Sequence, residues 1–151
     1  MKSIFKVLLC VCALSVGGIA YAGPFEDVTA AYKRQDYATA LRLIRPLADK
    51  GDAAAQSNLG LMYDKGQGVP ENDAEAVKWY VKAADQGDAD AQTSLGYMYA
   101  KGEGVPENAV QAYKWWNLAA AHGDDRAKKN KSIIEERMTR EQIAEAQKLV
   151  F

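Results

Sequence analysis

The fold is decided by a stretch of sequence that the chain contains twice in succession. Residues 51–86 read GDAAAQSNLGLMYDKGQGVPENDAEAVKWYVKAADQ, and residues 87–122 follow without a gap as GDADAQTSLGYMYAKGEGVPENAVQAYKWWNLAAAH. The two copies are identical at 21 of 36 aligned positions. A period of this size is typical of stacked helical repeats, in which each unit buries its apolar face against its neighbours. We therefore predict an all-α solenoid of about four antiparallel helix pairs.

Each repeat predicts two helices joined by a glycine-rich loop. The first covers about Asp52–Lys65, because its apolar residues recur every three or four positions. Gly66 suits the left-handed conformation that ends many helices, and Pro70 cannot continue one. The second helix covers about Asp73–Gln86. Capping-box spacing is seen before the second helix of each repeat, in the pairs Asn72/Glu75 and Asn108/Gln111.

Large and small residues recur at fixed places in both copies, which predicts a repeated core. The glycines in the middle of the first helices cost about 1 kcal/mol each relative to alanine, so we expect another helix to pass close to them. The residues interpreted as the structural motif are Leu59, Gly60, Tyr63, Gly66, Gly68 and Trp79 in the first copy and Leu95, Gly96, Tyr99, Gly102, Gly104 and Trp115 in the second.

The flanking segments are weaker copies, as the end units of a solenoid should be. We interpret residues 23–151 as one domain, with repeats at 51–86 and 87–122. Residues 25–50 form a degenerate N-terminal unit with a tight turn at Gln35-Asp36. Residues 123–151 form C-terminal capping helices, the last of which begins after Thr139, with Gln142 at capping-box spacing.

The N-terminus has the pattern of a secretory signal peptide. Lys2 and Lys6 precede an apolar run, and Ala20-Tyr21-Ala22 is a small-x-small cleavage site. The alternative is a membrane anchor, but the run is shorter than the roughly 20 residues of a span. We therefore expect cleavage after Ala22, removal of residues 1–22, and a periplasmic or secreted chain that has no membrane span.

Composition argues against several classes of function. Removing the two signal lysines leaves 17 Lys+Arg against 20 Asp+Glu, so the mature formal charge is −3. Nucleic-acid binding needs a basic face, so we predict no nucleic-acid partner. Both cysteines lie before residue 23, and His122 is the single histidine. We predict no catalytic residue, metal site or cofactor, because no nucleophile and base form a pair.

These residues resemble one known family. The pattern LGxMYxKGxGVPEN, followed by AxxxW and then KAADQG or LAAAHG, is similar to the Sel-one-like repeat (SLR), a branch of the tetratricopeptide superfamily. The resemblance implies a right-handed superhelix that acts as a protein-interaction scaffold, with motif residues that are structural. Secreted bacterial relatives are associated with envelope signalling, host contact and cell-wall metabolism. A cysteine-rich branch is linked to penicillin or peptidoglycan binding, and this chain lacks those cysteines.

The resemblance also implies that the first helix of each pair lines a concave groove. Tyr97 is a residue type that often anchors partners. A second feature is a stripe of cations two positions after the motif tyrosine, which predicts either a clamp for an acidic or carboxylate-ended ligand or simple stabilisation of helix dipoles. The predicted groove residues are Ser57, Leu61, Asp64, Lys65, Thr93, Tyr97, Ala100 and Lys101, and the stripe is Arg34, Lys65, Lys101 and Arg137.

Two functions remain open at this stage. The first is an exported scaffold that binds a protein partner through the groove. The second is a binder of peptidoglycan or of a wall-derived peptide that modulates cell-wall enzymes or envelope signalling. We set aside an enzyme, such as an amidase or β-lactamase, for want of a nucleophile–base pair.

Overall fold

The computed structural model describes residues 24–150, which form helices and contain no strand. The helices are α1 (Pro24–Lys33), α2 (Tyr37–Asp49), α3 (Ala53–Lys65), α4 (Asp73–Ala84), α5 (Ala89–Lys101), α6 (Ala109–Ala121), α7 (Asp125–Glu135) and α8 (Arg140–Lys148). The predicted signal peptide lies outside the described residues. Within them, every helix is too short or too polar to cross a membrane.

The first six helices pack as three consecutive hairpins. Helices α1 and α2 pair, as do α3 with α4 and α5 with α6, and each second helix also packs on the first helix of the next unit. The first helices α3, α5 and α7 touch in succession. The all-α solenoid predicted from the repeat is therefore confirmed, and its first helices lie side by side on one face.

The C-terminal helices depart from this pattern. Helices α7 and α8 make few contacts with each other, and both pack on α6. Ile134 of α7 and Ala146 of α8 join Tyr113 and Trp116 of α6 in one buried cluster. The last two helices thus cover the end of the solenoid separately.

Repeated caps fix where the first helices begin and end. The Asp52 carboxylate accepts a hydrogen bond from the Ala55 backbone N–H at 2.8 Å, and Asp88 does the same for α5. Gly66 has φ 62°, the left-handed conformation that allows the Gln67 N–H to donate back to the Met62 carbonyl at 2.8 Å. This is the Schellman arrangement, which satisfies carbonyls left free at a helix end.

The second helices begin with half of the predicted capping box. The Asn72 side chain accepts from the Glu75 backbone N–H at 3.0 Å. However, the Asn72 backbone N–H donates to the Tyr63 carbonyl at 2.9 Å, and Asn108 donates to Tyr99 at 2.8 Å. The loop is tied to the end of the preceding helix, so the prediction of a complete box was wrong here. A complete box is present at the start of α8.

The mid-helix glycines face aromatic rings. A Cβ atom at Gly60 would lie 2.8 Å from the ring of Tyr80, and one at Gly96 would overlap the indole of Trp116. Both rings come from the second helix of the same unit. The Trp116 indole N–H donates to the Thr93 carbonyl at 3.1 Å. The close neighbour is therefore a side chain that enters the space left by the missing Cβ.

Candidate protein-binding groove

Three clefts lie between successive first helices, and we call them together the groove. The α1–α3 cleft has a volume of about 210 Å³ and a largely apolar wall that includes Phe25, Tyr32 and Met62. The α3–α5 cleft has about 360 Å³ at its lysine end, and the α5–α7 cleft has about 210 Å³. Neighbouring clefts share the side chains of the helix between them.

The lysine end of the α3–α5 cleft gathers most of the predicted groove residues. Its wall is made by Leu61, Asp64, Lys65, Tyr97 and Lys101. Tyr80 forms its floor and is almost fully buried, and burial raises the pKa of its hydroxyl well above the ordinary value. The hydroxyl therefore stays neutral at physiological pH.

The predicted cation stripe is not continuous. Lys65 pairs with Asp64 at 3.0 Å, and this contact raises the pKa of the Lys65 ammonium. Arg34 lines none of the three clefts, because the N-terminal unit has the short turn instead of the loop. Lys101 and Arg137 lie together in the α5–α7 cleft. Lys101 also lines the α3–α5 cleft with Lys65, so three of the four cations lie in adjacent clefts, and one of these three is paired with a carboxylate.

The opposite end of the α3–α5 cleft, which we call the Asp88 end, contains charges of both signs. Asp88, Asp90, Asn58, Ser94 and Arg126 contribute to a cavity of about 330 Å³ that meets the lysine end at Leu61, and Arg126 pairs with Asp90. The lysine end is mixed in the same way, because Asp64 and Glu103 line it together with the two lysines. A polypeptide segment along this cleft would therefore meet both carboxylates and cations at each end.

Two predicted groove residues do not present a surface. Thr93 is 3% exposed, and its hydroxyl donates to the Asp124 carboxylate at 3.0 Å, so its prediction as a partner contact was wrong. Ser57, at the equivalent position, is also buried and reaches only the edge of the Asp88 end of the α3–α5 cleft. Positions 57 and 93 face the next first helix, which covers them.

Asp124 organises the contact between α5 and α7. It accepts from the Ala127 backbone N–H at 3.1 Å and pairs with Arg126 at 2.6 Å, while Arg126 also pairs with Asp90. The Arg126 hydrogen bonds, with those from Ala127 and Thr93, hold the pKa of the Asp124 carboxyl well below its usual range. The carboxylate thus fixes the register of the C-terminal cap.

We expect Asp124→Asn to lower the free energy of unfolding by about 1 kcal/mol at pH 7, because it removes the charge but keeps a capping oxygen. The pKa of the Asp124 carboxyl is lower in the folded state than its unfolded-state value of about 3.9, so the carboxylate stabilises the fold at pH values above about 3.9. This stabilisation is lost as the pH falls from there toward the folded-state pKa. The difference between wild type and variant in urea unfolding should therefore shrink below about pH 4. Asp52→Asn is the matched control, because Asp52 caps α3 and forms no salt bridge within residues 24–150. An equal loss in both variants, constant with pH, would contradict this role.

An apolar column, two of whose three members are exposed, crosses the groove. Leu61, Tyr97 and Ile133 occupy the same repeat position, 36 residues apart. Tyr97 is 44% exposed and Ile133 is 50% exposed. The Tyr97 and Trp116 rings pack in a T-shaped arrangement, with 5.5 Å between ring centroids. This contact holds the tyrosine in place while its outer edge remains accessible.

Several residues of the groove were not predicted from the sequence. Ile133 lies 36 residues after Tyr97, so extending the repeat register into the degenerate third copy would have identified it. The same register relates Asn58, Ser94 and Asn130, which form a polar row beside the apolar column. The floor residues Tyr80 and Trp116 follow the motif tryptophans by one position. Only the structure shows that these rings reach the mid-helix glycines.

Stacked helical hairpins with a groove along their first helices define a tetratricopeptide-like repeat scaffold. The sequence profile of the Sel1 repeat matches residues 53–88 and 89–124. These bounds lie two residues after the repeats as we delimited them. The chain thus contains two consecutive Sel1 repeats, as its sequence motif predicted.

Solved structures share this fold. The crystal structure of c5321, described as a protective antigen present in uropathogenic Escherichia coli strains displaying an SLR fold, is 32% identical with a TM-score of 0.79 over 85% of this chain. A Sel1 repeat protein from Oxalobacter formigenes is 36% identical with a TM-score of 0.66 over 74% of this chain. The chain spans 29% and 49% of the lengths of these two proteins. Comparison with curated proteins gave no match.

Proposed function

We propose that the chain is an exported, non-catalytic scaffold that binds a protein partner in the bacterial envelope through its groove. The observation that carries the proposal is the apolar column in which Leu61 is partly buried and Tyr97 and Ile133 are exposed. Sel1-repeat proteins typically mediate protein interactions and are generally non-catalytic, which supports the same class of function.

The composition of the groove suits a polypeptide ligand. Binding energy in protein interfaces is concentrated in a few aromatic and basic anchors surrounded by polar groups. Tyr97 and Arg137 supply such anchors, and the row of Asn58, Ser94 and Asn130 supplies polar groups beside them. Extended peptides need hydrogen-bonding partners for their backbone, and side-chain amides offer both donors and acceptors.

Export rests on the N-terminal pattern of two lysines, an apolar run and Ala20-Tyr21-Ala22. Processing at this site would give a mature chain that begins at Gly23. Fractionation of the source cell and the mass of the recovered chain test this part of the proposal directly. A cytoplasmic chain of full mass would contradict it.

The binding surface is tested by site-specific photo-crosslinking of the full chain in its source cell. A photoreactive phenylalanine analogue replaces Tyr97 in one variant and Leu149 in the control. Leu149 is matched because it is also apolar and 43% exposed but lies after α8, outside the groove. We expect a discrete crosslinked protein from position 97 that is absent from position 149.

Other results of this experiment would redirect or refute the proposal. Crosslinks of equal yield from both positions would refute groove binding. Crosslinks from position 97 only to material released by wall-degrading enzymes would favour the second function, a binder of peptidoglycan or wall peptides.

A further inference from the structure

We infer that the α5–α7 cleft binds the C-terminal residue of a partner polypeptide, taking an apolar side chain together with its free α-carboxylate. The inference rests on the proposed function and specifies the ligand chemistry of one part of the groove. It is carried by three features of the cleft: an apolar wall, and two cations and a buried amide donor that have no partner among the described residues.

The apolar wall is made by residues from three helices. Tyr97 of α5 and Ile133 of α7 are about half exposed, and Trp116 of α6 is buried beneath them. Large apolar side chains on a protein surface gain free energy when a ligand covers them. The cavity of about 210 Å³ is smaller than the roughly 300–1,000 Å³ of small-molecule pockets. It suits one large side chain better than a longer segment.

The two cations of this cleft are free to meet an anion. Among the described residues, neither Lys101 nor Arg137 has a carboxylate within salt-bridge distance, whereas Lys65 is paired with Asp64. Both side chains are exposed at the cleft mouth. A guanidinium binds a carboxylate through two parallel hydrogen bonds, which makes Arg137 the stronger contributor.

The amide donor comes from Asn130. Its Nδ2 atom is buried, and no acceptor bonds to it among the described residues. The equivalent Asn58 donates instead to the Ala54 carbonyl at 2.8 Å. A buried donor without a partner is costly, so a rotation of the Asn130 amide that brings Nδ2 to an acceptor on a ligand would relieve that cost. Carboxylate and peptide carbonyl oxygens are both suitable acceptors.

The position of the cleft gives the ligand a direction. Tyr97 and Lys101 line both the α5–α7 cleft and the larger lysine end of the α3–α5 cleft. The residues that precede the bound C-terminus would therefore run over Tyr97 toward Leu61. A chain with its terminal carboxylate at Arg137 would use two adjacent clefts of the groove.

Three fluorescent hexapeptides test the inference by fluorescence anisotropy with the chain at up to millimolar concentration. The first is Gly-Ser-Gly-Ser-Leu-Phe with a free carboxylate, and the second is the same sequence with a C-terminal amide. The third, Gly-Ser-Leu-Phe-Asp-Gly amide, carries its carboxylate on an internal side chain. We expect the free acid to bind at least about tenfold more tightly than either amide, as a charged hydrogen bond predicts.

Substitutions at the cleft separate ligand binding from helix stabilisation. Arg137→Gln should weaken binding of the free acid by about tenfold, while Arg140→Gln, a matched exposed cation on α8, should leave it unchanged. If Arg137 serves only the helix dipole, its loss will lower the melting temperature without altering affinity, and that result would overturn the inference.

The remaining outcomes also decide the question. Equal affinity for the free acid and its amide, preference for the internal aspartate, or no binding of any peptide would each overturn the inference. None of these results would remove a crosslink from position 97 to a protein partner. The failure of the inference is thus distinguishable from failure of the proposed function.

Discussion

Replacing Gly104 with alanine should destabilise the chain by about 3–5 kcal/mol, the sum of a strained backbone and an overpacked contact. Gly104 has φ 69°, and a Cβ atom there would lie 2.5 Å from the carbonyl carbon and oxygen of Asp73. The obstacle is backbone at the start of α4, so no side-chain rotation relieves it. Gly68 approaches the carbonyl of Tyr37 in the same way, with 2.7 Å from its built Cβ to the oxygen.

Gly123→Ala is the control for this variant. Gly123 has φ 93°, and a Cβ atom there meets nothing within 4 Å. It should therefore show only the backbone strain of about 1–2 kcal/mol. Urea unfolding followed by tryptophan fluorescence measures both losses. Equal losses of stability in the two variants would mean that the Gly104 loop is not in close contact with the start of α4.

Leu95→Ala should lower the free energy of unfolding by about 3 kcal/mol, because it leaves a cavity in a fully buried position. Leu95 is 0% exposed and lies in the cluster that joins α4, α5 and α6. Leu61→Ala is a matched control on the equivalent helix α3, since Leu61 is only partly buried and faces the groove. We expect it to cost about 1 kcal/mol or less in stability.

The two leucines should also separate stability from binding. Leu61→Ala should reduce crosslinking from position 97 at a temperature where both variants are folded, whereas Leu95→Ala should not. A similar loss of stability in both variants would contradict the assignment of Leu95 to the core and Leu61 to the groove.

The repeat made the helices predictable from the sequence. Asp, Asn and Gly recur at fixed places in the repeats, and their capping interactions are local enough to predict where the helices begin and end. For example, α3 begins one residue after the predicted start. The complete capping box at Asn72 failed because a longer-range hydrogen bond to Tyr63 took its backbone N–H. The register of α8 against α6 depends on packing between distant residues, which no local pattern reports.

The groove was predicted in part, because helical periodicity gives the direction of a side chain but not what lies opposite it. Leu61, Tyr97 and Lys101 line the clefts, whereas Thr93 points the same way and is covered by Asp124. The neutralisation of Lys65 by Asp64 depends on side-chain conformation. The buried Nδ2 atom of Asn130, which has no hydrogen-bond partner among the described residues, lies in the C-terminal unit. The repeat pattern is weak there and does not predict its surroundings.

The sharing of Tyr97 and Lys101 between two adjacent clefts has a consequence for how such a surface grows. Each cleft uses two first helices, so duplication of one 36-residue unit adds one cleft and keeps the spacing of those already present. During evolution, the groove could therefore accommodate longer ligands by gaining one cleft at a time, while the contacts in the existing clefts stay unchanged. Selection would then act on a few positions of the new copy, chiefly those equivalent to 61, 97 and 133, to set its preference.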